Sequence, residues 1–124
     1  MAERNFDFAE TLGRKKRFIS GSFATLSGNG TILNVKGLGF TVATKAATGT
    51  YVVTFTDGYP SLQCALVSLQ QPAAADNAVI ASSYDSSART LTIITQNSSG
   101  AVDPADNAAS RVNFLCVFDD ALTV

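Results

Sequence analysis

The sequence predicts an all-β domain, an antiparallel β-sandwich of jelly-roll-like type or a small barrel of about seven to eight strands, preceded by an N-terminal arm. Three observations carry that expectation. From Phe18 onward Thr, Val, Ser, Ala and Gly dominate, and apolar residues recur with a period near two. Turn signals interrupt the pattern at intervals of about ten residues. No stretch shows the periodicity of a ten-residue helix. At 124 residues, 46% hydrophobic and 15% charged, the chain can bury a core without metals or crosslinks. It is also too apolar for wholesale disorder.

The division expected is an arm over residues 1–17 and a sandwich domain over 18–124. The arm holds five basic and three acidic residues, a net +2, while the remainder holds four and seven, a net −3. Phe6, Phe8 and Leu12 are the arm's large apolar side chains, too few for a core but enough to dock on something else. A short helix over Asp7–Leu12, capped by Asp7, is its best local element.

Leu38–Thr44 and Thr50–Thr56 alternate as a strand pair, closed by the Lys45–Gly49 loop, where Gly49 is free to take a positive φ. Asp57-Gly58 turns the chain and Pro60 blocks further ladder pairing. Leu62–Leu69 is more continuously apolar, so it is expected to be buried on both faces. After the Gln71–Asn77 loop, Ala78–Tyr84 and Arg89–Gln96 form a second hairpin through Asp85-Ser86-Ser87-Ala88. Asn97–Ser110 is the longest loop. Arg111–Phe118 places Val112, Phe114, Cys116 and Phe118 on one face and Leu115 and Val117 on the other. Both faces are apolar toward its end, so this strand is either central or covered by a partner. Leu115, Val117 and Phe118 are the expected oligomer interface.

The residues that would carry chemistry are sparse. The chain has no histidine, which removes the commonest general base and neutral metal ligand. Cys64 and Cys116 sit in apolar stretches and are expected in the core; the alternative is a disulfide in an oxidising compartment. Asp57, Asp76, Asp85, Asp103 and Asp106 stand in turns, where aspartate bonds nearby amides. Asp103, Asp106 and Asn107 make only a thin version of a calcium loop. Asp119 and Asp120, adjacent on a strand, point to opposite faces. Gly37-Leu38-Gly39 lacks the third glycine and the helix of a dinucleotide fingerprint, and suits a bulge or a close backbone approach instead. No catalysis and no cofactor are expected.

Arg14, Lys15, Lys16 and Arg17 form the one charge run. A nucleic-acid patch would want stacking aromatics and a basic body behind it, and this body is acidic. The run is expected to meet an acidic surface of a protein partner. No apolar run reaches the length of a membrane span or of a signal-peptide core, so the chain is expected to be made in a cytoplasm.

Gly37-Leu-Gly-Phe-Thr-Val-Ala, Thr48-Gly-Thr-Tyr-Val-Val-Thr-Phe, Asp57-Gly-Tyr-Pro-Ser-Leu, Asp103-Pro-Ala-Asp and Arg111-Val-Asn-Phe-Leu-Cys-Val-Phe resemble the small β-rich head decoration, or cement, proteins of short-tailed bacteriophages. The resemblance covers about residues 20–124 and leaves out the arm. It implies a non-catalytic virion protein on the outer capsid surface that clamps neighbouring major capsid subunits and stabilises the capsid. The expected partners are the major capsid protein and further copies of the chain, as a dimer or trimer. Phe6, Phe8, Leu12, Arg14, Lys15, Lys16 and Arg17 are the expected capsid-binding residues. The alternative is a tail-fibre or spike module that binds a host receptor or glycan through its loops.

Overall fold

The computed structural model describes residues 16–45, 47–72, 75–104 and 110–119. Eleven strands follow in order: β1 (Lys16–Ala24), β2 (Gly30–Thr31), β3 (Lys36–Gly37), β4 (Phe40–Thr41), β5 (Thr44–Lys45), β6 (Thr50–Phe55), β7 (Ser61–Gln70), β8 (Ala78–Asp85), β9 (Thr90–Asn97), β10 (Gly100–Ala101) and β11 (Arg111–Asp119). The described residues contain no helix. The expected helix at Asp7–Leu12 lies outside them.

The first sheet has the order β3-β1-β11-β7. The second places β9 between β8 and β6, with β4 beyond β6 and β10 pairing the end of β9. A third, two-stranded piece joins β2 to β5. Every pairing is antiparallel, and both large sheets are open, so the sandwich forms and the barrel does not.

The period-two pattern explains the core. Val112, Phe114, Cys116 and Phe118 from β11 and Ile19 and Phe23 from β1 face Tyr51, Val53 and Phe55 from β6 and Leu91 and Ile93 from β9. Aromatic pairs join the layers: Phe55 meets Phe118 edge-on at 4.8 Å, Phe40 meets Phe114 at 4.8 Å, and Phe23 meets Tyr51 at 5.1 Å between centroids. Each such side chain contributes about 1.5–3 kcal/mol by leaving water. The β8–β9 hairpin forms as expected. The Asp85 carboxylate accepts the Ser87 and Ala88 amides at 2.9 and 3.2 Å, which fixes its turn.

Three expectations change. Leu62–Leu69 is not buried on both faces: β7 is an edge strand whose residues largely alternate between half-buried and exposed, because no other described residue covers its outer side. Its continuous apolar look comes from Leu66, an outward leucine among inward Ala65, Val67 and Leu69. The strand expected over Leu38–Thr44 breaks in two. Only Phe40 and Thr41 pair with β6, while Thr44 and Lys45 pair with β2. The break falls at Val42–Ala43, where the chain leaves β6 for β2 and the Ala43 carbonyl accepts the Ile32 amide at 2.9 Å. Finally, Lys16 and Arg17, expected in the arm, pair with β11 as the first described residues of β1.

Candidate interaction face

The register of the first sheet assembles an apolar patch on its outer face. Phe18 of β1 stands opposite Val117 of β11, which stands opposite Cys64 of β7. In the next outward row Ser20, Leu115 and Leu66 align the same way. Phe18 and Leu66 are 59% and 60% exposed, and Cys64 is exposed, while Leu115 and Val117 are half-buried between them. A shallow groove runs over this face between Leu66, Ser68, Asn113 and Leu115. Large side chains left at the surface in one contiguous group mark a contact surface rather than scattered exposure.

Polar residues frame both ends of the patch. At one end Lys16 Nζ lies 2.9 Å from Asp119 Oδ1, and Ser61 Oγ donates to Asp119 Oδ2 at 3.1 Å. The Lys16 hydrogen bond holds the Asp119 carboxyl below its ordinary value. At the other end the Arg111 guanidinium donates to Ser22 Oγ at 2.7 Å and to the Asn34 carbonyl at 2.6 Å, and Asn113 Nδ2 donates to Ser68 Oγ at 3.3 Å. These groups satisfy one another, so the apolar centre is left as the part of the face that gains most by being covered.

Of the expected oligomer interface, Leu115 and Val117 lie on this face. Phe118 does not: it is fully buried, stacked 4.6 Å from Tyr59 and edge-on to Phe55, and has no surface to offer a partner. It shares the phase of Val112 and Phe114, which is the core phase of β11. Of the expected anchoring residues, Phe6, Phe8, Leu12, Arg14 and Lys15 lie outside the described residues. Lys16 is tied to Asp119, and Arg17 is exposed at the start of β1. The cysteines also divide. Cys116 is in the core, where burial, with a lesser repulsion from the Cys64 thiolate charge, pushes its thiol up to about 12. Cys64 faces solvent, and both are free thiols.

Sequence reasoning missed Phe18 and Leu66, and the signal was present. Each is an apolar residue on the outward phase of a strand whose inward phase is already apolar: Phe18 against Ile19 and Phe23, Leu66 against Ala65 and Val67.

Two other places gather groups that could form a site. Of the thin calcium-loop pattern, Asp106 and Asn107 lie outside the described residues, and Asp103 is engaged elsewhere. It pins loops together, with Oδ1 2.9 Å from the fully buried Lys45 ammonium and 2.7 Å from the Gly49 amide, and Oδ2 3.1 Å from the Gly28 amide. No group of three or more His, Cys, Asp or Glu side chains able to hold a metal occurs among the described residues. A cleft of about 530 Å³ opens between β7 and β8, lined by Pro60, Ser61, Leu62, Ala65, Ser83 and Tyr84. Its Tyr84 hydroxyl is already spent on the Tyr59 carbonyl at 2.7 Å, and no buried side-chain nitrogen or oxygen among the described residues lacks a partner. No protein family, curated protein or solved structure matches the chain.

Proposed function

We propose that the chain is a structural virion protein, a phage head decoration protein that lays the outer face of its first sheet and its N-terminal arm on the major capsid protein. The observation that carries this reading is the contiguous patch of Phe18, Val117, Cys64, Leu115 and Leu66. Its β1 strand begins in the Lys16–Asp119–Ser61 row that frames the patch, so residues 1–15 join the body beside the surface they would extend. Covering the exposed three fifths of Phe18 and Leu66 would gain about 1–2 kcal/mol each before association costs. That is weak for one contact and ample for many copies engaged at once on a repeating lattice. The reading requires no catalytic residue and no cofactor, and it puts the protein on the outer surface of heads assembled in the host cytoplasm.

The fibre or spike reading has less to stand on. A glycan reader presents aromatic rings on its loops, and the two tyrosines nearest turns are turned inward: Tyr59 is buried against Phe118, and Tyr84 packs on Phe55 and Phe118.

Cosedimentation with undecorated heads of a short-tailed phage separates the two. The full chain is expected to pellet with the heads. A chain lacking residues 1–15 is expected to stay folded and lose binding, and Phe18→Lys is expected to weaken it at least tenfold. Full binding by both variants would remove the proposed surface. Binding to host cells instead of heads would replace the reading with the receptor-binding one.

A further inference from the structure

Every sheet edge leaves backbone groups unpaired, and folded proteins blunt their edges with shortness, charge, proline or bulges. Three edges of this sandwich obey that rule. β3 and β4 are two residues long, and β8 carries a bulge between Ala81 and Ser83 and ends in Asp85. β7 is different. It is ten residues long, and from Cys64 to Gln70 it pairs β11 in unbroken register, with its irregularity confined to the end near Leu62. It contains no proline and no charged residue, and residues 58–75 carry no charge at all.

We propose that β7 pairs antiparallel with β7 of a second copy, across a two-fold axis at Val67, so that two four-stranded sheets become one of eight. The argument for a second copy is electrostatic. A two-fold axis at Val67 sets that residue against its own copy and its flanking residues against one another, so a charge near the middle of the strand would lie beside its own copy. β7 has none to meet. The axis at Val67 pairs the whole regular run over about 23 Å of strand, placing Cys64 opposite Gln70, Ala65 opposite Leu69 and Leu66 opposite Ser68. Inward residues then face inward residues, so both cores keep their phase.

The pairing also has a consequence for the outer face. β7 is the strand at which the Phe18–Val117–Cys64 and Ser20–Leu115–Leu66 rows end. Joining two copies there runs each patch into its counterpart and roughly doubles the apolar platform offered to a capsid. That consequence rests on the decoration reading, whereas the pairing itself is tested without heads.

The test is light-scattering mass on the purified full-length chain, with hydrogen exchange on the same samples. Wild type is expected at twice the chain mass. Leu66→Lys and Ser68→Lys, both at exposed positions, are expected at the single-chain mass with unchanged circular dichroism. Phe18→Lys, two strands from the edge, is expected to keep the doubled mass. The β7 amides should be protected in wild type and exchange at least tenfold faster in Leu66→Lys. A single-chain mass for wild type overturns the proposal, as does a doubled mass that survives both β7 variants. Loss of the dimer in Phe18→Lys would place the contact on the face instead of the edge. Protected β7 amides in a single-chain species would mean that the chain covers its own edge. Head binding retained by a single-chain wild type would overturn the pairing and leave the decoration reading intact.

Discussion

Asp103→Asn is expected to lower stability by about 3–5 kcal/mol, the usual cost of removing one partner from a buried ion pair. The setting puts the substitution in that range. The Lys45 side chain is fully buried, with its ammonium 2.9 Å from Asp103 Oδ1, 2.7 Å from the Gly28 carbonyl and 3.5 Å from Asn29 Oδ1. Asparagine keeps the shape but leaves a buried positive charge facing only neutral oxygens. For a chain of this length, 1 kcal/mol moves the melting temperature by about 4 °C, so the expected fall is about 12–20 °C. Thermal melts by circular dichroism read it, and the urea midpoint should fall with an unchanged slope. Adding Lys45→Met to Asp103→Asn removes the stranded charge and should restore most of the loss. The sign with pH follows from the same carboxylate. Burial works against its ionisation, but the Gly49 amide, the Lys45 ammonium and the Gly28 amide together hold it below the ordinary aspartate value. Its stabilisation is therefore complete above about pH 4 and lost as pH falls through the depressed value. A fall of less than about 3 °C at neutral pH, or a double variant no more stable than Asp103→Asn, would refute this account of the pair.

Phe118→Ala should cost about 3–5 kcal/mol, because the ring fills the space between Phe55, Tyr59 and Tyr84; a loss under about 1 kcal/mol in urea unfolding would contradict its place in the core. Gly49→Ala should destabilise by more than the roughly 1 kcal/mol of an ordinary glycine-to-alanine strain, since φ is 65° and the new Cβ would sit 2.5 Å from the Thr95 carbonyl. Cys64 should react promptly with a thiol reagent in the native protein and Cys116 only on unfolding, so stoichiometry rises from one thiol to two with denaturant.

Much of the architecture was readable because it is local. The β8–β9 hairpin follows from alternating Leu91 and Ile93 and an Asp-Ser-Ser-Ala turn, and β11 follows from four apolar residues in one phase. What was not readable depends on distant pairing. Lys45 stands in a stretch that reads as a loop, and only the approach of Asp103, far along the chain, makes it a buried cation. The broken Leu38–Thr44 strand depends on the pairing of Thr44 and Lys45 with β2, which a local pattern does not show. The interaction face was half legible. Leu115 and Val117 were visible as a second apolar face of one strand, whereas Phe18 and Leu66 join them only through the register of three strands separated by tens of residues.

The central claim is that the outer face of the β3-β1-β11-β7 sheet is the surface by which this protein holds a capsid. The most direct measurement is cosedimentation of wild type and a Phe18→Lys/Leu115→Lys double variant with undecorated heads, with circular dichroism to show that both are folded. The account predicts saturable binding by wild type and none by the folded double variant. Equal binding by the two, or no binding by wild type, would contradict it.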